Sequence, residues 1–174
     1  MTHCVRLLAA SALLAASSVP ALAADGPSDA EIAHIAYTAG ALDAAAAKQA
    51  LAKTTNPQVR AFAEVMLRDH EAVNGKALEL VKKLNVTPAD NVTSQALAKQ
   101  AKETEARLAA LNGAAFDTAY VQNEVAFHRE VNGALKGTLI PSAKNGELKS
   151  LLQTGLSLFG EHQSHAEHLA ASLK

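Results

Sequence analysis

The sequence has one cysteine, no tryptophan and only six other aromatic residues, two tyrosines and four phenylalanines. The cysteine is Cys4, inside a segment that we expect to be cleaved, so the mature chain would carry no thiol. It could form no disulfide, no thiolate metal site, no cysteine nucleophile and no c-type haem attachment. So few aromatic residues also argue against a haem bound between helices through Met66 and a histidine, because a porphyrin needs apolar walls.

Strand-forming residues are scattered, whereas alanine, leucine, lysine, glutamate and glutamine dominate, which predicts an all-helical fold. The sequence also lacks G-x-S-x-G, a P-loop, a dinucleotide-binding glycine motif and H-E-x-x-H. We therefore predict no catalytic residue, and the pattern favours a protein that is not an enzyme.

The N-terminus carries the three parts of a secretory signal: a charged start with Arg6, an apolar run over residues 7–17, and the small residues Ala21-Leu22-Ala23. The apolar run is shorter than the roughly 20 residues that span a bilayer. We predict a signal peptide over 1–23 and one domain over 24–174, with no transmembrane segment in the mature chain and a periplasmic location.

Charge argues against one class of partner. Removal of residues 1–23 leaves 15 basic and 17 acidic residues, a net charge of −2. Nucleic acids demand clustered positive charge, so none is expected as a partner. A second copy of the chain or another periplasmic protein remains open as a partner.

Capping signals and apolar spacing predict the first two helices. Ser28-Asp29-Ala30-Glu31 is a capping box that opens a helix running to about Lys53, and Asn56-Pro57 opens a second helix that ends before Pro88. Steps of three and four residues predict their inward faces. These faces carry Ile32, Ile35, Ala39, Leu42 and Ala46 in the first helix, and Val59, Phe62, Met66, Val73, Ala77, Leu80 and Leu84 in the second.

The second half of the chain predicts a polar crossover helix and two further long helices. The crossover runs from about Ser94 to Leu111 and is closed by Asn112-Gly113, and the third core helix runs from Ala115 to about Gly137. Pro141 and Asn145-Gly146 mark the next turn. The last helix, about 147–173, has the clearest inward seam: Leu148, Leu152, Gly155, Phe159, His162, Ala166, Leu169 and Leu173. The whole pattern predicts a four-helix bundle with one long connection between core helices 2 and 3.

Histidines carry the chemistry of this sequence. At about 1.5 Å per residue, His70 lies roughly 22 Å from the end of its helix, His128 roughly 18 Å from the following turn and His162 roughly 25 Å past Asn145. If the crossover helix spans the bundle, helix 2 and the turn between helices 3 and 4 end at the same side, and the three imidazoles are then expected at comparable heights.

Two interpretations of these histidines are open. With Asp69 and Glu124, and with Glu161 and His165 as secondary candidates, they could hold a Zn, Cu or Fe ion. Alternatively, they form a structural polar layer, hydrogen-bonded between helices and fixing their register.

One further spacing prompts a comparison with di-iron carboxylate proteins. Glu31-x-x-His34 has the i, i+3 arrangement of that motif, which makes both residues secondary metal candidates. The chemistry needs a second such motif, and the mature sequence has none. We therefore do not expect a ferroxidase centre.

Three spaced segments carry a family resemblance: Phe62-Ala63-x-x-Met66-x-x-Asp69-His70 with Asn74, Gly113-x-x-Phe116-Asp117-x-x-Tyr120 leading to His128, and His162-x-x-His165-Ala166. In their order and spacing they resemble the bacterial domain-of-unknown-function 4142 family. The resemblance implies a ferritin-like helical bundle that is exported to the periplasm, and it implies little about activity. We accordingly expect an exported helical-bundle protein without enzymatic function, a stress-related protein or an interaction module, with a metal-binding or metal-buffering bundle as the alternative.

The signal peptide gives the first testable prediction. Mass spectrometry of the periplasmic protein should find a mature N-terminus at Ala24, because Ala21-Leu22-Ala23 fits the peptidase site. Recovery of intact residues 1–23 in a membrane fraction would contradict it.

Overall fold

The computed structural model describes residues 26–173, and among these it contains helices and no strand, which confirms the all-helical prediction. The predicted signal peptide lies outside the described residues. No helix in the described part of the chain is both long and apolar enough to cross a membrane. The helices are α1 Asp29–Lys53, α2 Pro57–Lys83, α3 Val92–Ala109, α4 Gly113–Ala134, a π-helical turn Leu135–Leu139, α5 Ile140–Ser142 and α6 Gly146–Ser172.

Side-chain caps determine where the first two helices begin. The Ser28 hydroxyl accepts a hydrogen bond from the Glu31 N–H, and the Glu31 carboxylate accepts one from the Ser28 N–H at 2.9 Å. The Asn56 side chain accepts hydrogen bonds from the first turn of α2. Such caps satisfy N–H groups that have no partner inside the helix. Both predicted starts are confirmed.

The predicted bounds of the crossover helix were wrong by two residues at each end. α3 begins at Val92 because the Asn91 side chain caps it, accepting from the N–H groups of Thr93 and Ser94. Asn112-Gly113 does not cap its C-terminus, as the sequence suggested, but begins α4, with Gly113 at φ +56°. Glycine adopts this left-handed conformation without strain, which suits it to either end of a helix.

The turn after α4 also differs from the prediction. Helical structure continues through Ser142 instead of ending near Gly137, and the connection to α6 is reduced to 143–145. The Ile140 N–H donates to the Leu135 carbonyl, five residues back, so the helix widens just before Pro141. Proline has no N–H for the helical ladder, which explains why regular α-helix does not run through this point.

The four long helices pack as two pairs. α1 lies against α2 and α4 against α6, while further contacts join α2 to α6 and α1 to α4. α3 lies across α1 and α4 on the outside. Every long helix therefore contributes to one shared interior.

The apolar core consists of two clusters, one towards each end of the molecule. One cluster contains three aromatic side chains from the first halves of α2 and α4, together with two aliphatic ones: Phe62, Phe116, Tyr120, Met66 and Leu108. The other contains Ile32 and Ile35 from α1, Leu135 and Leu139 from the π-helical turn, and Leu148, Leu152 and Phe159 from α6. Each long helix supplies residues to both ends and has polar residues between them.

The predicted seam of the last helix is confirmed from Leu148 to Leu169, since the buried residues of α6 are Leu148, Leu152, Gly155, Phe159, His162, Ala166 and Leu169, whereas Leu173 is half-buried. Phe159→Ala should lower the free energy of unfolding by roughly 3–5 kcal/mol, because it removes a large apolar group from the core. Urea denaturation would measure the change. Gln153→Ala, an exposed position on the same helix, should change stability by less than about 0.5 kcal/mol. Equal midpoints for the two variants would contradict this assignment of the core.

Candidate metal centre

A layer of buried polar side chains separates the two apolar clusters. We define the polar layer as Asp43 of α1, His70 of α2, Glu124 and His128 of α4, and His162 of α6. None of these residues is more than 3% exposed. Charged and polar groups are seldom buried this deeply unless they are paired or bind an ion, so the layer is the first candidate for a functional site.

The three imidazoles lie together inside the molecule. Their ring centroids are 5.6 Å apart for His70 and His128, and 5.4 Å apart both for His70 and His162 and for His128 and His162. One nitrogen from each ring lies within 4.8 Å of the others. The seam positions on three different helices thus direct three potential ligands to one point.

Asp43 completes this group, and the sequence prediction missed it. Its Oδ2 lies 3.6 Å from Nε2 of His70 and 3.6 Å from Nε2 of His128. We had predicted that Leu42 and Ala46 face inward, but both are only half-buried, and Asp43 and Ala47 are buried instead. Two steps of four residues, from Ile35 to Ala39 and from Ala39 to Asp43, also reach this position, so the signal was present in the spacing.

Two of the rings are oriented by hydrogen bonds from their outward nitrogens. His128 donates from Nδ1 to the Glu124 carbonyl oxygen at 3.0 Å, and His162 donates from Nε2 to the Asp69 carboxylate at 3.0 Å. A neutral imidazole that donates from one nitrogen carries a lone pair on the other. The inward nitrogens, Nε2 of His128 and Nδ1 of His162, are therefore available as ligands.

Asp69 and Phe159 support the layer from outside it. Asp69 is bound by the Arg68 side chain at 2.7 Å, and this bond is the main reason that its pKa lies below the usual range. An ionised carboxylate can only accept, which fixes the proton of His162 on Nε2. Phe159 stacks on the His70 ring with centroids 4.7 Å apart, which holds that ring in place.

Burial determines the charge state of the layer. It lowers the pKa of His70 to about 3 and that of His128 to about 4, with the neighbouring histidines adding to the effect, and it also lowers the pKa of His162. Burial raises the pKa of Asp43 to about 7. Burial and the nearby Asp43 charge raise the pKa of Glu124 well above its usual range. At neutral pH the imidazoles are therefore neutral, as metal ligands must be.

Many polar atoms of this layer have no hydrogen-bond partner within residues 26–173. They are both carboxylate oxygens of Asp43, both ring nitrogens of His70, the inward nitrogens of His128 and His162, Oε2 of Glu124, and the hydroxyl of the adjacent Tyr120. Buried polar groups in folded proteins are nearly always satisfied. The inward imidazole nitrogens and the Asp43 carboxylate are donor atoms of the kinds that transition metals bind.

Two cavities adjoin the layer. The apolar chamber, about 110 Å³, lies beside His70, His128 and Phe159 and is walled largely by apolar side chains such as Val73, Leu135 and Leu152. The α3 cavity, about 250 Å³, lies between α1, α3 and α4 and reaches Asp43 and Glu124. The layer is thus flanked by an apolar space at its imidazoles and a more polar space at its carboxylates.

The remaining predicted site residues lie outside the layer. His165 is exposed, with its ring edge against Phe62, and Glu161 is exposed as well. Glu31 caps α1, and Nδ1 of His34 is 3.9 Å from Asp90 near the start of α3. The structure therefore separates the Glu31-x-x-His34 pair from the three inward histidines.

The raised pKa of Asp43 predicts a pH-dependent stability of the metal-free protein. Because the pKa rises on folding from 3.8 to about 7, protonation of Asp43 stabilises the fold below pH 3.8, and this contribution is lost as the pH rises through 7. Asp43→Asn removes the buried charge, so it should raise the free energy of unfolding at pH 8, on the order of 1–3 kcal/mol, since one pKa unit corresponds to about 1.4 kcal/mol.

Urea denaturation in the presence of a chelator, at pH 5 and pH 8, would measure this effect. The gain should be smaller at pH 5, where wild-type Asp43 is largely protonated in the folded state. Glu79→Gln, at an exposed position on α2, is the matched control and should change stability little at either pH. A destabilised Asp43→Asn variant at pH 8 would contradict the charge assignment.

Comparison with known proteins identifies the family. The family model described as domain of unknown function (DUF4142) matches residues 13–169, most of the chain and all residues of the polar layer. No curated protein and no solved structure matches the chain. The chain therefore belongs to the DUF4142 family.

Proposed function

We propose that this protein binds a transition-metal ion, Zn, Cu or Fe, inside an exported four-helix bundle of the ferritin-like type. Its ligands are His70, His128 and His162 together with Asp43, and its role is metal binding or buffering. The observation that carries the proposal is that His70, His128 and His162 each offer a buried nitrogen within 4.8 Å of the others, with the Asp43 carboxylate 3.6 Å from two of these rings.

The structural polar layer explains this geometry less well than a cation does. A layer that only fixed helix register would satisfy its own groups, since each unsatisfied buried group costs about 1–3 kcal/mol. Asp43 Oδ2 lies 3.6 Å from two imidazole nitrogens, which is too long for a hydrogen bond. A cation accepts electron pairs from the imidazoles and the carboxylate at once, and so removes the penalty of each lone pair that it binds.

The separations between the donor atoms fit a small metal ion. With metal–ligand bonds of roughly 2.0–2.1 Å, neighbouring ligands of a tetrahedral site are roughly 3.4 Å apart. The 3.6 Å between Asp43 and each of two histidines is close to this value. The three imidazole nitrogens lie within 4.8 Å of one another, which is wider than this value and therefore leaves a contraction of the group to accompany binding.

The surroundings also resemble those of known metal sites. A ligating histidine usually donates its other N–H to a carboxylate or a backbone carbonyl, which orients the ring and increases its basicity. Asp69 accepts in this way from His162, and the Glu124 carbonyl from His128. Three imidazoles and one carboxylate suit Zn, Cu or Fe.

The bundle type and the location belong to the same proposal. Four long helices in two pairs, with α3 in the one long connection, support a ferritin-like arrangement. The N-terminal sequence over residues 1–23 supports export and cleavage after Ala23. A thiol-free metal site is compatible with an oxidising compartment.

Metal titration tests the proposal. Zn²⁺ and Cu²⁺ should each bind the wild type at one site and raise its melting temperature, because the ion binds the folded state preferentially. We expect the affinity to fall by at least roughly 10- to 100-fold in each of His70→Gln, His128→Gln and His162→Gln. This is the typical loss when a residue that only orients a metal ligand is removed. Isothermal titration calorimetry and thermal denaturation would measure both effects.

His168→Gln is the matched control, because His168 is an exposed histidine on the same helix as His162. It should leave both the affinity and the melting-temperature shift unchanged. Binding that is weaker than about millimolar, or that is lost in His168→Gln and kept in His70→Gln, would contradict the interior site. The structural polar layer would then be the better interpretation.

Asp69 provides a finer test of the same site. Asp69→Asn can still accept from His162 through its amide oxygen, but it no longer supplies the charge that fixes the proton on Nε2. We expect affinity to fall by roughly 10- to 100-fold with little change in fold. Unchanged affinity would show that Asp69 does not support the ligand.

A further inference from the structure

The α3 cavity lies between the surface and the carboxylates of the polar layer. Gln100, Lys102 and Glu105, which line it, are exposed. Asp43 and Glu124 form part of its inner wall and are 2% and 1% exposed, so their carboxylates are closed off from solvent. The space of about 250 Å³ is far more than the roughly 10–15 Å³ that one water needs, and only side chains of its inner wall separate it from the site.

The helix that covers this cavity is fixed mainly near its two ends. At the start of α3, Ser94 is buried and donates to Asp90, and the Ala89 N–H donates to the Ala30 carbonyl of α1. At the other end, Leu108 is fully buried and Lys53 donates to the Ala109 carbonyl at 2.6 Å.

Between these ends, α3 has no fully buried residue. Its Ala98, Ala101 and Thr104 line the cavity and are half-buried. Small side chains at these positions leave the space beneath the helix open.

The lining of the α3 cavity is more polar than that of the apolar chamber. Gln49, Gln100, Thr104 and Asn123 lie in it beside apolar side chains, and Oε1 of Gln49 is buried without a partner among the described residues. In the apolar chamber, apolar side chains predominate, and the polar ones besides His70 and His128 are Asn74, Thr93 and Glu130. Taking an ion out of water without compensating ligands costs far more than any movement of side chains.

We propose that the α3 cavity is the passage by which a hydrated divalent cation reaches the buried site, and that α3 spans this passage and moves as the ion enters. The proposal rests on the metal-binding function proposed above. Glu124 and Asp43 are the first buried oxygen ligands that the ion meets, and it then passes to the imidazoles.

Filling each cavity in turn tests the route. Ala101→Phe places a large side chain in the α3 cavity, and Ala77→Phe places the same side chain in the apolar chamber; both alanines are half-buried cavity-lining residues. Stopped-flow mixing with Co²⁺, followed by the absorption of the bound ion, would give the rate of uptake. Transfer to a chromophoric chelator would give the rate of release.

Ala101→Phe should slow uptake and release alike, by about tenfold or more, with the Kd within about threefold of wild type, because Kd is the ratio of the two rates. Ala77→Phe should leave both rates near those of wild type. Slower exchange in Ala77→Phe alone, or no change in either variant, would overturn the route.

A variant that loosens α3 tests the same proposal in the opposite direction and does not depend on Ala101→Phe folding. Lys53→Met keeps the aliphatic part of the side chain but removes the hydrogen bond to the Ala109 carbonyl. Uptake should become faster at unchanged Kd, and an unchanged rate would show that α3 does not limit access. If Kd is normal and no variant alters the rates, the passage is refuted and the metal site stands. If the wild type binds no Co²⁺, Zn²⁺ or Cu²⁺, the metal site and the passage are both refuted.

Discussion

A carboxylate buried against neutral imidazoles is the constraint on which the rest of this structure depends. Asp43 and Glu124 are excluded from water, and burial raises the pKa of each. An uncompensated charge in this position costs several kcal/mol, so packing elsewhere must offset it. Two features stabilise the fold against this cost: an apolar cluster packs on each side of the layer, and Phe159 stacks on His70.

Under the proposed metal-binding function, this arrangement makes the metal-free fold a compromise between stability and binding. The inward nitrogens of His128 and His162 are fixed by hydrogen bonds on their outward sides, so the rings cannot turn away to find other partners. Such a preorganised site needs little rearrangement when an ion binds. The same rigidity leaves the lone pairs unsatisfied in its absence, which is a local conflict of the kind that folded proteins keep mainly at functional sites.

Most of the fold could be predicted from the sequence, and the exceptions have physical causes. Caps at Ser28 and Asn56 and the seam of α6 were readable because each is a local pattern of residue types. The inward face of α1 was predicted incorrectly in part. Its many alanines make the faces of the helix similar in hydrophobicity, and Leu42, which is larger than Ala47, indicated the wrong face. The π-helical turn at Leu135–Leu139 was not predicted, because its residue types do not distinguish a π-helix from an α-helix.

The candidate site was predictable only in part, for a related reason. The rise per residue gives the height of a histidine along a helix, but the choice of the nitrogen that faces inward depends on the Glu124 carbonyl and the Asp69 carboxylate. Asp43 was overlooked because a charged residue is normally assigned to the solvent side of a helix. The ring orientations depend on contacts within and between helices that a single sequence does not contain explicitly, whereas the spacing along α1 did point to Asp43.

The division of the core into two clusters bears on how the molecule opens and closes. In a protein with one uninterrupted core, local opening at any point disturbs the packing of the whole. Here a polar boundary crosses all four long helices, so the end that contains Phe62 and Phe116 and the end that contains Ile32 and Leu148 can loosen separately. An ion bound at the boundary would tie the four helices together at their midpoints. Its arrival would convert two weakly linked regions into a single cooperative unit.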